Sequence, residues 1–255
     1  MRPPLEKGEM PNAIVLEKPP FVPRMVMTKE LQSVTKNVIH QWKNRKAFAG
    51  LLQYGIRPLD RLLFYGPPGN GKTMACHWMA RELNVPMYRV LCNNLVNSYL
   101  GDTCKALVEV VEFLEARREP ALCLWDEVEA VFIDRRRSEN SCDREKASAL
   151  TVFMQSLDRW KSPTLIVMAT NLRNQLDEAL LSRVELQVEF KGPDEEQCEQ
   201  VVQYWSELLH QHGGEEWGPK ILEQVRVTPA ASFRALQQEI AYAARDWTAR
   251  NMTGK

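Results

Sequence analysis

Residues 66–73 form a glycine-rich segment whose composition suits the binding of phosphate. Their sequence, Gly66-Pro67-Pro68-Gly69-Asn70-Gly71-Lys72-Thr73, satisfies the pattern GxxxxGK[ST] between a strand-like run and a helix-like run. Glycines let main-chain N–H groups converge on phosphate oxygens, and the N-terminus of the following helix, including Met74, adds a positive dipole. In such a loop the lysine meets the β- and γ-phosphates and the threonine hydroxyl binds Mg²⁺. The segment therefore predicts a site for ATP and Mg²⁺.

Two adjacent acids follow a run that is apolar throughout. Ala121 to Trp125 precede Asp126 and Glu127. Neighbouring carboxylates repel one another unless a cation lies close to them. We expect Asp126 to hold the magnesium shell and Glu127 to take a proton from the attacking water. On its own the pair fits a surface turn after a core strand equally well, and the phosphate loop favours the catalytic alternative.

Strand-like and helix-like runs alternate around these residues. Strands are predicted at residues 61–65, 86–92, 121–125, 165–169 and 184–190. Helices are predicted at residues 74–83, 103–118 and 145–160. This alternation predicts an α/β fold, a parallel five-stranded P-loop NTPase sheet flanked by helices.

The chain divides into three predicted segments. Residues 1–24 hold six of the fifteen prolines and are interpreted as a flexible N-terminal arm. Residues 25–192 form the P-loop ATPase domain, which begins with a helix predicted from an N-cap at Thr28 to about Tyr54. Beyond that, residues 193–255 show only helical patterns and predict a small all-helical lid domain.

Composition excludes several other classes of function. The 33 basic and 33 acidic side chains balance, so the chain as a whole has no general attraction for nucleic acid or for anionic membranes. Without a long apolar run or a signal-peptide core, we expect a cytoplasmic protein that does not enter the membrane. The six cysteines form no CxxC pair and the four histidines no HExxH motif, which argues for reduced thiols and against a zinc protease.

From about Thr28 to Asn251 these motifs resemble those of the AAA+ ATPases, most closely the AAA clade of katanin, spastin and the ATPase half of FtsH. The resemblance implies an ATPase that forms a homo-oligomer, most often a hexameric ring. Within it, the run Leu165 to Asn171 looks like the sensor-1 strand, and its terminal Asn171 is then expected to help orient the attacking water.

Two further arginines take roles from the resemblance. The segment Leu176 to Arg183 looks like the one that presents an arginine finger to the neighbouring subunit's nucleotide. The AAA pattern usually has two arginines there, whereas this chain continues with Val184-Glu185, so Arg183 is the single candidate. Arg234 in Ser232-Phe233-Arg234 resembles the sensor-2 arginine, which contacts the nucleotide phosphates.

The segment Asn97 to Thr103 resembles pore loop 1 of AAA unfoldases. There Tyr99, Leu100 and Gly101 would line the pore and grip polypeptide; packing of Tyr99 in the core is the alternative. The favoured function is thus a ring-forming protein unfoldase that works with a protein substrate or partner, such as a separate protease. The alternative is a DNA-associated ATP switch of the loader or transposition-regulator type, favoured by Leu181-Ser182-Arg183 and by Arg135-Arg136-Arg137.

Overall fold

The computed structural model describes residues 10–18, 25–96, 103–132, 141–213 and 232–251. The strands in these ranges are β1 (Ile14–Glu17), β2 (Arg61–Tyr65), β3 (Met87–Leu91), β4 (Ala121–Asp126), β5 (Thr164–Thr170) and β6 (Leu186–Glu189). The helices are α1 (Lys29–Lys43), α2 (Lys72–Leu83), α3 (Cys92–Val96), α4 (Thr103–Glu115), α5 (Ser141–Arg159), α6 (Glu178–Leu181), α7 (Glu195–Gly213) and α8 (Phe233–Asn251).

The described strands form one sheet in the order β1-β3-β4-β5-β2-β6. The pairs β3–β4, β4–β5, β5–β2 and β2–β6 are all parallel, which confirms the predicted α/β fold and its five parallel strands. The sixth strand, β1, pairs antiparallel with β3 and was not predicted. It lies in the proline-rich segment, where Ala13 and Ile14 are buried against the core and outweigh the signal of the surrounding prolines.

Helices cover both faces of the sheet, as the uniform apolar character of β4 requires. Every residue from Ala121 to Trp125 is buried, so both sides of this strand lie in the core. On one side, the rings of Trp125 and Phe153 lie 4.6 Å apart, and Phe153 stacks on Phe132 at 4.5 Å. Helix α2 packs on the sheet and contacts the strands β3, β4 and β5. The phosphate loop is therefore followed by a helix that is fixed along the centre of the sheet.

Helix α1 begins as the sequence indicates and ends earlier. The Thr28 hydroxyl accepts a hydrogen bond from the N–H of Leu31 at 3.1 Å, which confirms the predicted N-cap. The prediction of one helix to Tyr54 is wrong, because α1 ends at Lys43 and two short 3₁₀ turns follow. At this end the Asn44 side chain donates to the carbonyl of His40 at 2.9 Å and satisfies one of the last helical carbonyls.

The chain separates into two compact units. The first contains the described parts of residues 1–22, 33–66 and 72–189, and the second contains those of 23–32, 67–71 and 190–255. In the second unit α7 packs against α8 through a small buried core of Cys198, Leu236, Ile240 and Ala243. Within the described ranges, no helix combines the length and the apolar character needed to cross a membrane.

A half-buried charge cluster joins the start of β2 to the segment before β6. The Glu185 carboxylate accepts hydrogen bonds from the N–H of Asp60 at 2.7 Å and from the Arg61 guanidinium at 2.7 Å. Arg61 also donates to Asp60 at 3.2 Å. Burial, followed by the charge of Glu185, raises the pKa of Asp60 from 3.8 to about 6. Glu185 therefore anchors the segment before β6 to the start of β2.

Asp60→Asn is expected to stabilise the chain at pH 7 and to leave its stability at pH 4 unchanged. Because the pKa of Asp60 is raised by folding, the folded state binds the proton more tightly than the unfolded state, and stability falls as the pH rises from about 4 to about 6. The rise in the pKa of Asp60 from 3.8 to about 6 lowers the free energy of unfolding by at most about 3 kcal/mol at neutral pH.

Urea unfolding at several pH values, with exposed Glu82→Gln as the control, measures this effect. The asparagine oxygen still accepts from Arg61, so the hydrogen bond is retained. Parallel pH profiles for wild type and Asp60→Asn would show that this carboxyl group does not titrate with folding.

Candidate functional site

The phosphate loop is shaped by three glycines with a left-handed backbone. Gly66, Gly69 and Gly71 have φ values of 133°, 82° and 90°. Helix α2 begins immediately afterwards at Lys72, so the N–H groups of its first turn follow the loop directly. Anions bind readily at such a helix start. Of the other loop residues predicted from the sequence, Pro67 and Pro68 are exposed, Thr73 and Met74 are half-buried and Asn70 is buried.

Lys72 contacts the predicted sensor residue. Its side chain is buried, and Nζ donates to the carbonyl of Gly66 at 2.6 Å and to Oδ1 of Asn171 at 2.7 Å. Asn171 follows β5 directly, and β5 lies beside β2 in the sheet. Parallel neighbouring strands thus bring together two polar side chains that are 99 positions apart in the sequence.

The two acids stand at the end of β4, the next strand along. Asp126 is the last residue of the strand, and Glu127 has a left-handed backbone with φ 56°, which is uncommon for a residue other than glycine. Such backbone strain is frequent at functional sites. The Nδ2 group of Asn93, at the start of α3, donates a hydrogen bond to Oε2 of Glu127. Glu127 is exposed, and the contact with Asn93 holds its carboxylate in one orientation.

Three residues of this site were missed by the sequence analysis. Asn93 holds Glu127, as described, and Glu129 accepts the N–H of Asn171 through Oε1 at 3.2 Å. Arg89 on β3 donates from Nη2 and Nε to Oδ2 of Asp126 at 2.6 and 3.1 Å. An isolated polar residue forms no motif, so the sequence held no signal that would have identified these three.

Buried thiols near these acids are not nucleophiles. Burial, followed by the charge of Asp126, raises the pKa of both Cys76 and Cys92 well above its usual value. Both thiols therefore remain protonated at neutral pH, and a thiolate is the form that reacts. The chemistry available at this end of the sheet is accordingly that of carboxylates, an amide and a lysine.

Arg183 lies apart from this group, just after α6. Its Nε and Nη2 donate to the two carboxylate oxygens of Asp158 at 2.9 and 3.0 Å, and Nη1 donates to the carbonyl of Ala179 at 2.8 Å. Asp158 belongs to α5, so the guanidinium is held against another element of the same chain. Both side chains remain partly exposed, at 30% for Arg183 and 50% for Asp158. The position leaves the guanidinium within reach of solvent or of another molecule.

In the second unit the loop is held by the start of α8. The N–H of Arg234 donates to the carbonyl of Gly69 at 3.1 Å, and the Ser232 hydroxyl caps the helix by accepting the N–H of Ala235 at 3.1 Å. A Cβ at position 69 would lie 2.8 Å from Cβ of Arg234, a distance that real contacts do not show. Gly69 is thus required both by its φ and by this close approach. The Arg234 side chain itself is exposed.

Asn70 has a structural role in the same unit. Its Nδ2 group donates to the carbonyl of Phe190 at 3.3 Å, which ties the loop to the residue that follows β6. Among the described residues its buried Oδ1 has no hydrogen-bond partner. The predicted pore residues Tyr99, Leu100 and Gly101, and the basic run 135–137, lie outside the described residues, so the structure describes neither segment.

Comparison with known proteins agrees with this geometry. The family model for the ATPase family associated with various cellular activities (AAA) matches residues 62–192, just over half of the chain. A protein of Methanothermobacter thermautotrophicus named as a 26S proteasome regulatory subunit homolog is 34% identical over 150 residues, 58% of this chain and 40% of that protein. An uncharacterized AAA family ATPase of Sinorhizobium fredii is 32% identical over 142 residues, 56% of this chain and 42% of the relative.

These alignments span about two fifths of the length of each relative. The family match begins at Leu62 in β2 and continues past β6, so it includes the phosphate loop, Asp126, Glu127, Asn171 and Arg183. The chain belongs to the AAA family of ATPases.

Proposed function

We propose that the chain hydrolyses ATP at the carboxyl ends of β2, β5 and β4. The observation that carries this proposal is the meeting of Lys72 and Asn171, beside the strand that ends in Asp126 and Glu127. In open parallel sheets, ligands bind outside the carboxyl ends of the strands. Lys72 and the N–H groups of the loop and of the first turn of α2 bind the phosphates of ATP.

The residues present suit Mg²⁺ as well. Mg²⁺ prefers hard oxygen ligands and usually keeps several waters. Asp126 offers a carboxylate at the end of β4, and Thr73 offers a hydroxyl in the first turn of α2. When bound, Mg²⁺ neutralises charge on the β- and γ-phosphates. We assign Thr73 and Asp126 to hold it.

Glu127 acts as the general base. Its exposed carboxylate takes a proton from the attacking water, and Asn93 keeps the carboxylate in one orientation. Asn171 presents its amide next to Lys72 and helps to orient the water. Glu129 in turn fixes the backbone of Asn171. Each polar group at this edge of the sheet then has a separate task.

The chain works, in this proposal, as a homo-oligomeric ring, most simply a hexamer, that remodels proteins. Support comes from the relative named as a 26S proteasome regulatory subunit homolog. Arg183 reaches the nucleotide of the adjacent subunit, and Arg234 contacts the phosphates of its own. Tyr99, Leu100 and Gly101 grip an extended polypeptide, which a partner such as a separate protease receives. Aromatic rings suit this purpose because they contribute about 0.5–1.5 kcal/mol per contact beyond burial.

Tyr99→Ala is expected to retain basal ATP hydrolysis and to lose stimulation by an unfolded protein. Tyr99→Phe should behave like wild type, since the ring rather than the hydroxyl provides the grip. The measurement is phosphate release with and without an unfolded protein or DNA, alongside thermal melting. Tyr242→Ala, which removes a tyrosine that is 73% exposed on α8, is the matched control.

The melting curve separates a pore residue from a core residue. If Tyr99 were buried in the core, Tyr99→Ala would lower the free energy of unfolding by about 3 kcal/mol or more, and the melting temperature would fall. An unchanged melting temperature together with the loss of stimulation of ATP hydrolysis by unfolded protein would support a role for Tyr99 in the pore. A lowered melting temperature in Tyr99→Ala would contradict this role. Hydrolysis that is stimulated by DNA alone, and remains so in Tyr99→Ala, would also contradict it and would favour the DNA-associated switch.

A further inference from the structure

Three consecutive strands of the sheet contribute to one chain of charges, which we call the Arg89 bridge: Glu17 of β1, Arg89 of β3 and Asp126 of β4. Arg89 donates to Oδ2 of Asp126 through Nη2 at 2.6 Å and Nε at 3.1 Å. Its Nη1 lies 3.5 Å from Oε1 of Glu17. The bridge thus connects the antiparallel edge strand to the acid assigned to Mg²⁺.

We propose that Arg89 is a positioning residue that determines which oxygen of Asp126 faces the nucleotide-bound metal; the inference rests on the proposed function of Asp126. An ionised carboxylate has about four acceptor positions on its two oxygens. Arg89 fills both positions of Oδ2, and the N–H of Glu127 takes one position of Oδ1 at 3.1 Å. Among contacts of the described residues, the open position therefore lies on Oδ1.

The charges of the bridge are compatible with a divalent cation. One guanidinium stands between two carboxylates, so the three side chains together keep one negative charge. His77 of α2 interacts electrostatically with both Glu17 and Arg89, but burial lowers its pKa and it is neutral at pH 7. Glu17 therefore offsets the charge of Arg89, and Asp126 remains attractive to a metal while its rotation is restricted.

Some residues orient a metal ligand without touching the metal, and mutating such a residue typically lowers the affinity for the metal about 10–100-fold. The planar fork of arginine suits this task, because two parallel N–H groups fix the plane of the carboxylate, whereas lysine donates as a point charge. The expected signature of Arg89 is accordingly a change in the Mg²⁺ requirement, with little change in the affinity for nucleotide without metal.

The test is a Mg²⁺ titration of the binding of a fluorescent, non-hydrolysable ATP analogue to the full chain. In Arg89→Met the Mg²⁺ concentration at half-saturation should rise about tenfold or more. Arg89→Lys, which keeps the charge and loses the fork, should behave like Arg89→Met. Binding in EDTA should equal that of wild type in both. Arg117→Met is the matched control, because Arg117 stacks on Tyr88, the neighbour of Arg89 in sequence, without touching Asp126.

Repeating the titration in an Asp126→Asn background tests whether Arg89 acts through Asp126. There Arg89→Met should cause no further change, since the carboxylate that it orients is gone. An unchanged or lowered Mg²⁺ requirement in Arg89→Met, an undiminished effect in Asp126→Asn, or an equal loss of binding in EDTA would each overturn the inference. A wild-type chain whose binding ignores Mg²⁺ would instead refute the magnesium site itself, so the two failures are distinguishable.

Discussion

Arg183→Ala subunits are expected to bind ATP normally, to hydrolyse it about 10³–10⁵-fold more slowly, and to regain turnover when mixed with Lys72→Ala subunits. An arginine supplied by a neighbour stabilises charge in the transition state and contributes little to the binding of ATP. In a mixed ring of the proposed kind, an intact site of one parent would lie next to an intact Arg183 of the other. The measurement is phosphate release across a series of mixing ratios.

The contact between Arg183 and Asp158 contributes little to stability, so a loss of ATP hydrolysis in Arg183→Ala would not be caused by unfolding. Both side chains of the Arg183–Asp158 pair are partly exposed, and exposed ion pairs contribute at most about 1 kcal/mol to stability. Arg183→Ala should therefore melt close to wild type, and Arg118→Ala, an exposed arginine elsewhere, provides the control. Mixtures that demonstrably co-assemble and still fail to hydrolyse ATP would show that Arg183 does not act on a neighbour.

Lys72→Ala is expected to abolish nucleotide binding. The ammonium group of Lys72 is buried beside the Gly66 carbonyl and Asn171, at the start of the helix that follows the loop. Removing it takes away the charge assigned to the β- and γ-phosphates, and no other lysine belongs to the loop. Binding of a fluorescent ATP analogue measures the effect, with exposed Lys161→Ala as the control. Wild-type affinity in Lys72→Ala would remove this lysine from the site.

The parts of the fold that follow from local pattern were predictable. An apolar run such as Ala121 to Trp125 must be buried on both sides, and it is the strand β4 within a parallel sheet. The Thr28 N-cap is likewise a property of a few adjacent residues, and it is present in the structure. The edge strand β1 was missed because four residues among prolines carry too little periodicity.

The contacts that complete the site depend on partners far apart in the sequence. Arg89 meets Asp126 only because β3 and β4 pair in a register that places Leu91 opposite Asp126. Arg183 meets Asp158 only through the packing of α5 beside the turn after α6. Glu185 belongs to no motif that the sequence shows, and the structure shows that it binds the start of β2. Such pairings are set by tertiary structure, and a single sequence does not encode them as a motif.

Glu127→Gln shows whether Glu127 is the base in ATP hydrolysis. The glutamine oxygen still accepts from Asn93, so the side chain keeps its orientation and loses only its basicity. Phosphate release and bound nucleotide are measured on the same samples, with exposed Glu112→Gln as the control. We expect normal ATP binding with hydrolysis reduced about 10²–10⁴-fold. Hydrolysis at the wild-type rate by Glu127→Gln would contradict it.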